Sequence, residues 1–117
     1  MFQKIHLLFI CNANINRSRA AAALFENSPY YEARSAGIYP VSLPGLITTP
    51  VSQKLIDWAD KIFVMEETQR GFLKDNFTIE DKHLEMLNIP DTYQTSMAKS
   101  YEDLKHILQE KLADYLK

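Results

Sequence analysis

Apolar runs and amphipathic stretches alternate along this chain, and the first apolar run lies near its amino terminus. Residues 5–10 (IHLLFI) are almost continuously apolar, which is typical of a strand buried on both faces of a sheet. Residues 62–65 (IFVM) repeat this pattern, and residues 32–36 and 83–89 predict two weaker strands. The pattern therefore predicts a central sheet of about four strands.

Helical patterns separate these strands. Residues 17–27 contain four consecutive alanines, which favour a helix packed closely on the sheet. Thr49-Pro50 predicts a helix start, with a capping residue followed by proline at the first helical position. Residues 66–75 predict a further helix, and Ser100-Tyr-Glu-Asp103 matches a capping box that would open the last one. This alternation predicts an α/β fold, with a central parallel sheet of about four strands in a three-layer α/β/α arrangement.

Composition and charge narrow the class of protein. At 117 residues and 46% apolar content, the chain is expected to form one domain over residues 1–117. A net charge of −2 argues against nucleic acid as a partner, and no apolar run approaches the ~18 residues of a membrane span. A single cysteine cannot form an internal disulfide, which indicates a cytoplasmic protein. The three histidines and Cys11 show no metal-ligand spacing, so no metal site is expected.

The loop after the first strand carries the main candidate chemistry. It begins at Cys11 and ends at Arg17-Ser18, at the edge of a parallel sheet where ligands commonly bind. A phosphate can bind to the unpaired N–H groups at the start of the following helix and to the planar guanidinium of Arg17. Both groups also favour the reactive thiolate form of Cys11. Asn12 and Asn14 tolerate the left-handed backbone that a loop folded around an oxyanion needs.

A structural explanation competes with this one, because a lone cysteine is most often a buried packing residue. An arginine at a helix start is often simply solvated. The Arg-Ser pair after the cysteine, with a strand before and a helix after, favours the anion site. The chain has neither G-x-x-x-x-G-K-[ST] nor G-x-G-x-x-G, so nucleotide sites of those kinds are unsupported. What remains is an oxyanion cradle with a nucleophile at its base, which indicates covalent phosphoryl transfer.

Residues 11–18 (CNANINRS) resemble the C-x(5)-R-S loop of low-molecular-weight protein tyrosine phosphatases. The alanine-rich helix behind the loop is similar too, as is Arg34-Ser-Ala-Gly37 after the second strand. Residues 59–67 (ADKIFVMEE) resemble the next strand of that family, and residues 89–93 (IPDTY) lie where its general-acid loop, usually D-P-Y, is found. Four landmarks in the same order, along nearly the whole chain, imply the fold and the chemistry of that family.

The resemblance implies a role for each matching residue. Cys11 would attack phosphorus to form a phosphocysteine, and Arg17 would hold two phosphate oxygens. Ser18 would donate a hydrogen bond to the sulfur, and Asn14 would hold the loop in shape. Asp91 would protonate the leaving phenolate and then activate water. No cofactor or metal is implied, and the residues expected around the phosphate are Asn12, Ala13, Asn14, Ile15, Asn16, Arg17 and Ser18.

The assignments outside the loop have ordinary alternatives. Asp91 follows a proline and would also fit simple turn chemistry. Its position after the last strand, however, is expected to bring it to the same sheet edge as Cys11. Tyr39 and Tyr93 are candidates for aromatic walls of the substrate groove by analogy of position, and surface packing would explain them equally well.

Several residues depart from the family pattern. Ala13 stands where the family usually has glycine, so the loop must accept a Cβ there. Asn16 replaces the second cysteine of many members and with it the disulfide that protects the nucleophile. Thr92 replaces the proline after the acid, and the usual GID…AR segment is missing between Gly37 and Ile62. These changes bear on the substrate groove more than on the phosphate site.

The expected function is hydrolysis of a phosphomonoester, most simply phosphotyrosine in a protein, with inorganic phosphate as a product. Three other functions remain open. A non-catalytic module that binds oxyanions or phosphoproteins could keep the loop without turnover, given Ala13 and Thr92. An arsenate reductase that uses an external small thiol could manage with Cys11 alone, whereas the thioredoxin-coupled type needs further cysteines. A phosphocysteine carrier would have little use for Arg17 and Asp91 together.

Overall fold

A computed structural model describes residues 3–39, 41–80, 83–92 and 98–116 of the chain. Six strands and four helices are defined there. The strands are β1 (Ile5–Cys11), β2 (Tyr31–Gly37), β3 (Ser42–Leu43), β4 (Leu46–Ile47), β5 (Lys61–Val64) and β6 (Leu84–Met86). The helices are α1 (Arg17–Ala23), α2 (Gln53–Trp58), α3 (Glu67–Asn76) and α4 (Ala98–Lys111).

Four of the strands form one parallel sheet in the order β2-β1-β5-β6. β1 lies in the middle and pairs with β2 from Ile5 to Cys11, where Cys11 is opposite Gly37. On its other side β1 pairs with β5, which in turn pairs with β6. Because all pairs are parallel, the carboxyl ends of these strands meet at one edge of the sheet, and the residue at the end of the central strand is Cys11.

Helices cover both faces of the sheet. Alternate residues of β1 point to opposite sides, so Leu7 and Phe9 pack in one core with α1 and α4, whereas Leu8 and Ile10 pack in another with α2 and α3. All four of these β1 side chains are completely buried. The predicted three-layer α/β/α fold with a central parallel sheet of four strands is therefore confirmed.

Two predicted helix starts are wrong. α2 begins at Gln53, after Ser52, whose hydroxyl accepts a hydrogen bond from Leu55 N at 3.2 Å. Thr49-Pro50 is instead extended, and Pro50 bridges Gly37 at the end of β2. Ser100 does not open the last helix either, because α4 already includes the two residues before it.

Residues 42–47 form a short hairpin between β2 and α2. β3 and β4 pair antiparallel and are joined by Pro44-Gly45. Gly45 has φ +79°, a left-handed conformation that glycine adopts without strain. No helix within the described part of the chain is long and apolar enough to cross a membrane.

Candidate active site

Cys11 lies at the carboxyl end of β1 and is buried, with 3% of its surface exposed. The loop of residues 12–16 then leads directly into α1. The Cys11 Sγ and the Ser18 Oγ are 3.0 Å apart, so the hydroxyl in the first turn of α1 reaches back to the thiol. The thiol thus faces a polar partner, unlike a cysteine that only packs in a core.

Asn14 fixes the shape of the loop. Its backbone has φ +60°, in the left-handed region that asparagine tolerates better than most residues. Its side-chain amide donates to Ser18 Oγ at 2.8 Å, and its carbonyl oxygen accepts from Thr49 N at 3.1 Å. Because Ser18 Oγ accepts from Asn14, its own proton is available for the sulfur of Cys11. The three side chains form a directed chain of hydrogen bonds that would stabilise a thiolate.

Arg17 is almost completely buried, with 1% of its surface exposed. Its Nη1 donates to Glu66 Oε1 at 2.5 Å and to the Ile89 carbonyl at 2.6 Å. A buried guanidinium without partners would be costly, and these two acceptors hold it in one orientation. The opposite edge of the group, which includes Nε, is 3.8 Å from Asp91 Oδ1.

Asp91 follows the last strand of the sheet, and its side chain is 55% exposed. The structure brings it, together with Cys11 and Arg17, to the lining of one small cavity of about 100 Å³. The complete lining comprises Cys11, Asn12, Ala13, Ile15, Asn16, Arg17 and Asp91.

Most residues that line this cavity belong to the loop between β1 and α1. The parallel ladder of β1 ends at Cys11, so the N–H groups of residues 12–16 lie beyond it. The first hydrogen bond of α1 runs from Ala20 N to the Asn16 carbonyl at 3.0 Å, and the N–H groups of residues 17–19 precede it. A loop of this kind, with a guanidinium beside it, has the donor set that a tetrahedral oxyanion requires.

Two site residues were missed by the sequence analysis, Glu66 and Gln69. Gln69 is fully buried and donates to Asn12 Oδ1 at 2.6 Å, while its carbonyl oxygen accepts from Met65 N and Glu66 N. Glu66 and Gln69 also form the capping box of α3. The signal was present as E-x-x-Q directly after a buried strand, but a capping box alone does not indicate contacts to a different loop.

Gly37 lies directly under the loop. A Cβ placed on it would come within 2.6 Å of the Asn12 carbonyl oxygen and 2.8 Å of Asn14 N. Real Cβ atoms do not approach backbone atoms so closely. The end of β2 can therefore support the loop only if this residue has no side chain.

Of the two tyrosines expected at the groove, the structure describes Tyr39, and its role as a groove wall stays a prediction. Tyr39 is 60% exposed, and its N–H donates to the Asn12 carbonyl at 2.7 Å. Its ring packs edge-on against the ring of Phe72, with the two ring centroids 6.0 Å apart. Its ring is not part of the small cavity lining. Tyr93 lies outside the described residues. No three His, Cys, Asp or Glu side chains converge as a metal site would require in the part of the chain that the structure describes.

The chain is similar to solved protein structures, but not to any family model or curated protein. The tyrosine phosphatase Wzb from Escherichia coli K30, solved with phosphate, matches with a TM-score of 0.77 and 19% identity over 97% of both chains. A low-molecular-weight protein tyrosine phosphatase from T. tengcongensis matches with a TM-score of 0.71 and 17% identity, over 97% of this chain and 100% of its own.

The YwlE arginine phosphatase from Geobacillus stearothermophilus matches with a TM-score of 0.62 and 22% identity, over 96% of this chain and 92% of its own. The chain therefore has the fold of the low-molecular-weight protein tyrosine phosphatases. The resemblance to this family that the sequence shows is therefore confirmed for the fold.

Proposed function

We propose that this protein is a cysteine-dependent phosphomonoester hydrolase, most simply a protein tyrosine phosphatase, formed as one domain by residues 1–117. The observation that carries the proposal is that Cys11, Arg17 and Asp91 line the same cavity of about 100 Å³. These are a nucleophile, an oxyanion clamp and a carboxyl group, which together are sufficient for phosphoryl transfer through a covalent intermediate.

In the first step, the Cys11 thiolate attacks phosphorus, an S–P bond forms and the P–O bond to the leaving group breaks. Nη1 of Arg17 is occupied by Glu66 and Ile89, so the edge that includes Nε is the one directed at the phosphate oxygens. Asp91 lies 3.8 Å from that same edge. It is therefore suitably positioned to give its proton to the leaving phenolate oxygen.

In the second step, water attacks the phosphocysteine and inorganic phosphate is released. Asp91, now a carboxylate, takes a proton from the water, and the S–P electron pair returns to sulfur. The Ser18 hydroxyl, 3.0 Å from Sγ, stabilises the thiolate that leaves. The mechanism uses side chains of this protein alone and includes neither a metal ion nor an organic cofactor.

The fold supports this class of reaction without deciding the substrate. Among the structural neighbours, Wzb is a tyrosine phosphatase and YwlE is an arginine phosphatase. We assign phosphotyrosine because of the resemblance of the residues 11–18 loop to tyrosine phosphatases. The single cysteine also favours a cytoplasmic location, where it would remain reduced.

The proposal is tested with p-nitrophenyl phosphate at mildly acidic pH in the presence of EDTA, comparing wild type, Cys11→Ser and Asp91→Asn. We expect metal-independent turnover that Cys11→Ser abolishes and Asp91→Asn lowers by about 10²–10⁴-fold. The loss in Asp91→Asn should be larger for phosphotyrosine, because its phenolate leaving group needs the proton more than p-nitrophenolate does. Phosphotyrosyl and phosphoarginyl peptides, assayed side by side, then assign the substrate.

Other outcomes would support other functions. If wild type shows no turnover but phosphate protects Cys11 from alkylation, the protein is an oxyanion-binding module or a phosphocysteine carrier. If arsenate is reduced only with an added small thiol, it is a reductase. Near-normal turnover by Asp91→Asn would remove Asp91 from the mechanism and leave the role of Cys11 intact.

A further inference from the structure

A second and larger cavity, of about 400 Å³, adjoins the small one. Ile15 and Asn16 line both, so the two cavities share a wall formed by the end of the loop. The complete lining of the larger cavity, which we call the α1 groove, comprises Ile15, Asn16, Arg19, Ala20, Ala23 and Tyr101.

One face of α1 forms a side of this groove. Asn16, Arg19, Ala20 and Ala23 recur at helical spacing, so they lie on the same side of the helix. The two alanines are small and leave space above the helix. Tyr101 comes from α4 and is 37% exposed, which gives the groove an aromatic surface on its other side.

Arg19 is the charged residue among the described residues of the groove lining. It is exposed, and in the described part of the chain no carboxylate forms an ion pair with it. It differs in this respect from Arg17, whose guanidinium is buried and held by Glu66. The groove therefore presents a positive charge that none of the carboxylates in the described part of the chain compensates.

We propose that the α1 groove binds the residues that flank the phosphorylated residue of a protein substrate, and that Arg19 selects an acidic side chain there. The inference rests on the proposed phosphatase activity. With the phosphate held beside Cys11, an extended peptide that leaves the small cavity past Ile15 and Asn16 enters the groove. A carboxylate on that peptide then meets the exposed guanidinium of Arg19, whereas a small aryl phosphate does not extend that far.

The test uses phosphotyrosyl peptides in which Glu, Gln or Lys occupies one flanking position at a time, with p-nitrophenyl phosphate as the substrate that lacks flanks. For wild type we expect kcat/KM to favour the best-placed Glu over Gln by roughly two- to fivefold, as for an exposed ion pair. The preference should shrink at high salt. Arg19→Gln should lose it and Arg19→Glu should favour Lys, with turnover of p-nitrophenyl phosphate unchanged in both.

Arg70→Gln is the matched control, because it removes the same charge from a partly exposed position on α3 outside the groove. It should keep the preference for Glu. A wild-type enzyme without that preference, or a preference that survives in Arg19→Gln, would overturn the inference while leaving the phosphatase activity established.

Binding to the Cys11→Ser protein makes the test independent of turnover. The same phosphopeptides should bind with the same order of preference, and Arg19→Gln in that background should abolish it. If p-nitrophenyl phosphate is not hydrolysed by wild type, the proposed function fails, and these affinities alone decide whether Arg19 selects acidic flanks. Equal affinities for the Glu and Lys peptides would contradict the proposal that the α1 groove selects acidic flanking residues.

Discussion

At the scale of single residues, the orientation of Arg17 depends on a glutamate that lies far away in the sequence. Glu66 Oε1 accepts from Nη1 at 2.5 Å, and the arginine is 1% exposed whereas the Glu66 side chain is 39% exposed. The glutamate can therefore be changed without opening the core. Because Glu66 contacts Nη1, the Nε edge of the guanidinium is the one that lies near Asp91, with Nε 3.8 Å from Oδ1.

We expect Glu66→Gln to lower kcat/KM for p-nitrophenyl phosphate by about 10–100-fold, because a misplaced clamp costs catalysis strongly. The amide still accepts a hydrogen bond but no longer offers a charge to Arg17. Glu67→Gln is the control, since Glu67 is exposed and pairs with Arg70. If steady-state kinetics show equal values for the two variants, Glu66 does not position Arg17.

The residue scale also shows where prediction from sequence ends. The positions of Cys11, Arg17 and Asp91 were expected from a motif and a sheet edge, and the structure brings these three side chains to one cavity. Their catalytic roles stay predictions. Glu66 and Gln69 were missed because their contacts join segments 49 and 57 residues apart, and no local pattern specifies such a pair.

At the scale of elements, the end of β2 and the loop after β1 are packed backbone against backbone. Ile38 N donates to the Cys11 carbonyl at 3.1 Å and Tyr39 N to the Asn12 carbonyl at 2.7 Å. Gly37 precedes these two residues in the chain and lies directly against the backbone of Asn12 and Asn14. The shape of the loop therefore depends on the strand beside it as well as on its own sequence.

Gly37→Ala should destabilise the protein by about 1–3 kcal/mol and reduce turnover, because the new methyl group meets backbone atoms that can move only with the loop. Gly71→Ala is the opposite case. It lies inside α3, where an added Cβ meets nothing within 4 Å, and alanine is the better helix former. We expect it to stabilise by about 0.5–1 kcal/mol.

Denaturant unfolding and p-nitrophenyl phosphate kinetics on the two glycine variants check this expectation. A Gly37→Ala protein as active and as stable as wild type would show that β2 does not support the loop.

The elements were predictable to different degrees for physical reasons. β1 and β5 were evident because strands buried on both faces are continuously apolar. The start of α2 was misplaced because Thr49-Pro50 has the local pattern of a cap, while the backbone there is held by β2 and by the Asn14 side chain. Tertiary contacts outweighed a local preference at this point, and such contacts are not encoded in neighbouring residues.

At the scale of the whole molecule, the site joins three separate parts of the chain. Cys11 and Arg17 lie at the two ends of the loop between β1 and α1, Glu66 directly precedes α3, and Asp91 lies in the segment after β6. A ligand held by these parts together binds the folded chain only. Oxyanion binding must therefore raise the free energy of unfolding.

Inorganic phosphate at about 100 times its Kd should stabilise the protein by about 2.7 kcal/mol, which corresponds to a rise in Tm of roughly 10 °C for a domain of this size. The rise in Tm is measured by thermal unfolding in phosphate, compared with thermal unfolding in chloride at equal ionic strength. Cys11→Ser should keep the rise, because the backbone donors and Arg17 remain. Arg17→Lys should lose most of it, because an ammonium group cannot replace the planar edge that binds two oxygens. A rise of the same size in Arg17→Lys would mean that phosphate binds elsewhere, and the cavity beside Cys11 would then lose its assignment as the oxyanion site.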